Sequence, residues 1–78
     1  MSNETEKHIT DAVQRNLTGA FVSRVVKNST GYEVDILAME EGPDAVARIE
    51  TQVALVAKEL RMARLLDGDL HATVGAWH

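Results

Sequence analysis

The segment DAVARIETQVALVAKELRMARLL, residues 44–66, constrains the fold most, because its apolar residues recur at alternating three- and four-residue steps. Such spacing is typical of a helix that buries one face. The repeating residues are Val46, Ile49, Val53, Val56, Leu60 and Ala63, widened by Leu55, Met62 and Leu66. Pro43 suits a first helical turn, and Asp67-Gly68 follows as a stop signal. The pattern predicts a long amphipathic helix that packs against another layer.

Two strand-like segments precede this helix, at residues 20–27 and 32–39, and both are rich in β-branched and aromatic residues. The NSTG between them suits a tight turn and predicts an antiparallel hairpin. We expect Val26 to lie opposite Val34 in this hairpin. That register gives one apolar face directed at the core, which Arg24 alone interrupts: Val22, Val26, Tyr32, Val34, Ile36 and Ala38.

The two ends of the chain complete the pattern of elements. Residues 3–17 carry Ile9 and Val13 at four-residue spacing, which predicts a first helix. Residues 70–77 alternate between apolar and polar types, which predicts a last strand. A strand, a helix and a strand in succession normally form a right-handed crossover between parallel strands. We therefore predict one α+β domain over 1–78, in the order α-β-β-α-β, with two helices packed on one face of a three-stranded mixed sheet.

Composition excludes several classes of function. The chain of 78 residues contains no cysteine, which excludes disulfides, thiolate metal sites and cysteine nucleophiles. Its net charge of −4 argues against a protein whose whole surface binds phosphate groups. No basic and apolar leader opens the chain, and no apolar run approaches membrane-spanning length. We expect a cytoplasmic protein that does not enter a membrane.

Four short segments resemble a known family. They are GYEVDIL (31–37), EG (41–42), VAR (46–48) and LHATV (70–74). With the α-β-β-α-β order, these segments are similar to the type II KH-like class of small domains, and within it to the BolA family. The resemblance extends from about residue 8 to the end. The chain departs from the family at Ile49 and Glu50, where a histidine usually accompanies the helix arginine.

The resemblance implies a role for His71 in the last strand. In the BolA family the matching histidine helps to hold an iron–sulfur cluster that is shared with a monothiol glutaredoxin. For this chain the resemblance implies either such a partnership or action as a regulator. A neutral imidazole is a competent iron ligand, but the remaining ligands have to come from the partner. The alternative is a strand histidine that lies on the polar face without any metal. We expect no cofactor that the chain holds on its own.

Catalysis has little support in the sequence. The chain has no glycine-rich phosphate loop, and EGPD at 41–44 does not match the GxxG of a nucleic-acid-clamping KH loop. Glu40, Glu41 and Asp44 gather at a helix start, where the helix dipole explains them without acid–base chemistry. We expect a protein that acts by binding and not as an enzyme.

Nucleic-acid binding is one alternative function. It would use basic residues of the long helix: Arg48, Lys58, Arg61 and Arg64. The competing interpretation is a solvated helix face, because Glu50 and Glu59 lie among them.

A protein-interaction module is the other alternative. The face of the hairpin away from the predicted core has an apolar end, which a half-buried sheet does not need. Together with the last strand it offers Phe21, Val25, Leu37, Met39 and Trp77 as interface residues. A homodimer, or a small inhibitor or adaptor, fits this pattern.

Overall fold

The computed structural model describes residues 4–40 and 42–76. Two helices and three strands follow one another as α1 (Glu4–Asn16), β1 (Ala20–Lys27), β2 (Gly31–Ala38), α2 (Pro43–Met62) and β3 (Asp69–Ala76). β2 is the central strand, antiparallel to β1 and parallel to β3. The predicted α+β class, the element order and the mixed three-stranded sheet are confirmed.

Both helices pack on the same face of the sheet and share one hydrophobic core with it. The largest fully buried side chains come from α1, β2 and α2: Ile9, Val13, Val34, Ile36, Ile49, Val53 and Val56. Their three- and four-residue spacing in the helices and two-residue spacing in β2 bring all of them to one layer. Neither described helix is apolar enough over a sufficient length to cross a membrane.

The hairpin register differs from the predicted one by one residue near the turn and by two residues beyond Ser23, where Val22 lies opposite Ile36. Val25, and not Val26, lies opposite Val34, because Lys27 already pairs with Tyr32 at the turn. The pairing shifts again between Val22 and Arg24, which leaves Ser23 as an extra residue. A bulge of this kind reverses the faces on which the following residues lie. Val25 therefore packs against the core, Val26 is 38% exposed, and Arg24 turns away from the helices.

The outer side of α2 carries two apolar residues that the periodic pattern assigns to the core. Leu55 is 57% exposed and Met62 is 76% exposed. Each lies two positions after a buried residue, and therefore about 200° further around the helix axis. Ala45 and Ala57 take their place in the buried face. The helix also ends at Met62, before the predicted stop, and Arg64 adopts a left-handed φ of 61°.

Candidate functional site

The face of the sheet opposite the helices, which we call the open face, is built from three rows of residues across the strands. The first row is Phe21, Leu37 and Gly75; the second is Arg24, Asp35 and Thr73; the third is Val26, Glu33 and His71. Residues that are paired across neighbouring strands point to the same side, so each row forms a contiguous strip. The open face is therefore apolar at one end and mostly polar in the other two rows, where Val26 is the apolar exception.

The apolar end of the open face consists of Phe21, Leu37 and Met39, which we call the apolar corner. Phe21 is 46% exposed and Met39 is 60% exposed, while Leu37 is half-buried. The amide of Met39 donates a hydrogen bond of 2.9 Å to the carbonyl of Gly19, so the pairing of the two strands continues to this point. Aromatic and methionine side chains are enriched at the centres of protein interfaces.

Two of the predicted interface residues do not belong to the apolar corner as the structure describes it. Val25 lies on the helix side of the sheet, because the bulge at Ser23 reverses its direction. Its assignment to the open face is wrong. Trp77 lies outside the described residues. The structure thus brings together three of the five predicted residues.

The middle row carries an ion pair between Arg24 and Asp35. The guanidinium donates to the carboxylate at 3.2 Å, and the two side chains are 69% and 27% exposed. An exposed pair of this kind contributes less than about 1 kcal/mol to stability. Sequence reasoning misses this pair because it places Arg24 on the core face. A lone arginine in an otherwise apolar alternation is the signal that could have indicated the bulge.

His71 lies exposed on β3, and its nearest strand neighbour on the open face is Glu33 of β2. The imidazole is therefore accessible to a second protein. Within residues 4–40 and 42–76, no group of three or more histidine, cysteine, aspartate or glutamate side chains could hold a metal ion. His71 is the only histidine in the three described rows of the open face, and the chain has no cysteine, so the described residues do not by themselves fit an iron–sulfur cluster.

The four basic residues predicted for nucleic-acid binding do not form one patch. Arg48 pairs with Glu40 at 3.3 Å, and Arg61 pairs with Asp69 at 3.7 Å and donates to the carbonyl of Gly68 at 3.2 Å. The two arginines stand about 20 Å apart along α2 and about 140° apart around its axis. Lys58 and Arg64 are exposed, the latter beyond the end of the helix.

The chain matches no protein-family model, no curated protein and no solved structure. The resemblance to the BolA family and to the type II KH-like class therefore stays a prediction.

Proposed function

We propose that this protein is a non-enzymatic interaction module that docks a partner protein on the open face of its sheet. The observation that carries the proposal is the apolar corner of Phe21, Leu37 and Met39 on a face that neither helix covers. A half-buried sheet normally presents polar residues on its solvated side, so exposed aromatic and methionine side chains there need another explanation.

The arrangement suits a contact with an apolar centre and a polar border. Covering the exposed parts of Phe21 and Met39 would contribute roughly 2 kcal/mol each, at about 25 cal/mol per Å² of apolar area. The ion pair of Arg24 and Asp35 stands directly beside the corner, where its charged groups can orient a partner. The partner thus has an apolar patch with polar groups on one side of it.

A photocrosslinking amino acid in place of Phe21 tests this proposal in cells. We expect one dominant crosslinked protein, which is then purified and measured for direct binding. The Phe21→Ser variant should weaken that binding at least about tenfold, because it removes an aromatic anchor. The matched control is Leu55, which is 57% exposed on the outer side of α2. Equal crosslinking from both positions, or full affinity of Phe21→Ser, contradicts the proposal.

A second candidate function is cluster handling with a monothiol glutaredoxin in the cytoplasm, as the BolA resemblance implies. The observation that favours it is the exposure of His71 on the same open face as the apolar corner. A partner docked there would lie next to the imidazole and would have to supply the thiolate ligands. Among the described residues of the open face, His71 would contribute one imidazole.

Mixing the purified protein with a cluster-loaded monothiol glutaredoxin tests this second function. We expect a change in the visible absorption spectrum that His71→Ala removes and His8→Ala retains. His8 is the control because it is an exposed histidine on α1. An unchanged spectrum, or equal behaviour of the two variants, contradicts cluster sharing but leaves partner docking at the apolar corner intact.

A further inference from the structure

The two edge strands of the sheet, β1 and β3, differ in whether side chains and a bulge protect their outer backbone groups. At β1, the side chain of Gln14 accepts a hydrogen bond from the amide of Val22 at 2.9 Å and donates to the carbonyl of Ala20 at 3.3 Å. The bulge at Ser23 then bends the same strand. Side-chain caps and bulges are devices that prevent an edge strand from pairing with another chain.

β3 has none of these devices. Its eight residues pair with β2 without interruption, and it contains no proline, no lysine and no bulge. Within the described parts of the chain, no side chain forms a hydrogen bond to the backbone of β3. Alternate N–H and C=O groups on its outer side are therefore available to a further strand.

The helix layer also stops short of this edge. Leu70, Ala72 and Val74 face the helices but are only partly buried, whereas their β2 neighbours Val34 and Ile36 are 0% and 1% exposed. Two grooves run between β3 and α2. One is lined by Val53, Ala54, Leu70 and Ala72 with Glu50 and His71, and the other by Val46, Val74 and Ala76 with Glu40 among others. Apolar surface thus continues from the core to the edge of the sheet.

The side chains of residues 70–74, Leu-His-Ala-Thr-Val, are complementary to themselves in the antiparallel direction. With a two-fold axis at Ala72, Leu70 lies opposite the Val74 position of a second copy and His71 opposite the Thr73 position. Apolar residues then meet apolar ones on the helix side, and polar residues meet on the open face. Such a self-complementary patch is what a two-fold interface requires.

We propose that β3 pairs with β3 of a second copy of this chain, so that two three-stranded sheets become one continuous sheet of six strands. The pairing brings no like charges opposite each other, since Asp69 lies across from the Gly75 position. Glu50 is exposed at the rim of its groove, where solvent screens its charge. The pairing does not depend on partner docking, because it uses the outer backbone edge of β3, whereas the apolar corner consists of side chains from β1 and from the end of β2.

Single cysteine variants test the pairing directly, because the chain has no cysteine of its own. Ala72→Cys places the two thiols opposite each other at the axis, and we expect a disulfide-linked dimer under mild oxidation. The control is Val26→Cys, which lies on the more exposed side of β1. A covalent dimer from Ala72→Cys but not from Val26→Cys supports the proposal. No dimer, or equal dimer from both variants, overturns it.

Sedimentation of the unmodified protein across a micromolar concentration series is the second measurement. We expect a mass that rises toward twice that of the monomer. Ala72→Lys should lower the association constant at least about tenfold, because two ammonium groups then meet at the axis. A protein that stays monomeric throughout overturns the proposal, as does an Ala72→Lys variant that associates like the parent. If circular dichroism shows that Ala72→Lys is unfolded, the comparison of the two single-cysteine variants decides the question by itself.

Discussion

The Cα of Gly31, at the start of β2, lies directly against the backbone of Asp69, at the start of β3. The two residues are register partners, and a Cβ added to Gly31 would overlap the carbonyl and amide of Asp69. The amide of Asp69 also donates to the carbonyl of Thr30 at 3.0 Å. This close approach is where the hairpin loop meets the strand that returns from α2.

We expect Gly31→Ala to lower the free energy of unfolding by about 3 kcal/mol or more, because backbone atoms must separate to admit the methyl group. Gly75→Ala is the matched control, since the nearest atom to its Cβ lies at an ordinary 3.9 Å. This control should stabilise the protein by about 0.5 kcal/mol through the unfolded chain. Urea denaturation measures both values. Similar stability of the two variants would contradict the close contact at Gly31.

The bulge at Ser23 predicts opposite responses of two adjacent valines. Val25→Thr should cost about 1 kcal/mol or more, because Val25 packs against the core and its variant buries a hydroxyl there. Val26→Thr should change stability by less than about 0.5 kcal/mol, because Val26 is 38% exposed on the open face. Chemical denaturation distinguishes the two cases. A larger loss of stability for Val26→Thr than for Val25→Thr would contradict the bulge at Ser23.

Gln14 is expected to hold the edge of β1 through its two hydrogen bonds to backbone groups. Gln14→Ala should lower the free energy of unfolding by about 1–2 kcal/mol and speed hydrogen exchange at the amide of Val22. Arg15→Ala is the control on the same helix, since Arg15 donates only to Asp11 of its own helix. Unchanged exchange at Val22 would show that the glutamine does not cap the strand.

Two residues of α2, Ile49 and Leu55, lie on different faces of the helix, and only Ile49 is buried. Ile49→Ala should cost about 2–5 kcal/mol, because Ile49 is 1% exposed and its truncation leaves a cavity. Leu55→Ala should change stability by less than about 0.5 kcal/mol, because its side chain is 57% exposed. Thermal unfolding provides the comparison. A large loss for Leu55→Ala would place that residue in an interface or in the core.

Local patterns in the sequence were enough to predict the elements and most of the core. The four-residue spacing of Ile9 and Val13 and the long repeat through Ile49 and Val53 indicate helices whose buried faces the structure confirms. The alternation in β2 likewise identifies Val34 and Ile36 as core residues. These predictions succeed because the period of apolar residues depends only on the local backbone geometry.

The composition of the open face could be predicted only in part. Phe21, Leu37 and Met39 are found on the open face as expected, but Val25 is not, and the ion pair of Arg24 with Asp35 was not anticipated. The error in the faces begins at Ser23, where one extra residue reverses the side of the sheet on which the residues that follow toward the turn lie. Whether a strand bulges depends on what its two faces meet, and the pattern of a single strand does not contain that information.

The sequence by itself determined the order of the elements, the crossover to a parallel third strand and the faces of the helices that become buried. Tertiary structure alone decided the register of the hairpin, the side of the sheet on which Val25 and Arg24 lie, and the contrast between the edges at β1 and β3. The physical reason is the range of the interactions. Helix and strand periods follow from neighbouring residues, whereas register and edge protection follow from contacts such as that of Gln14 with Val22, which join separate elements.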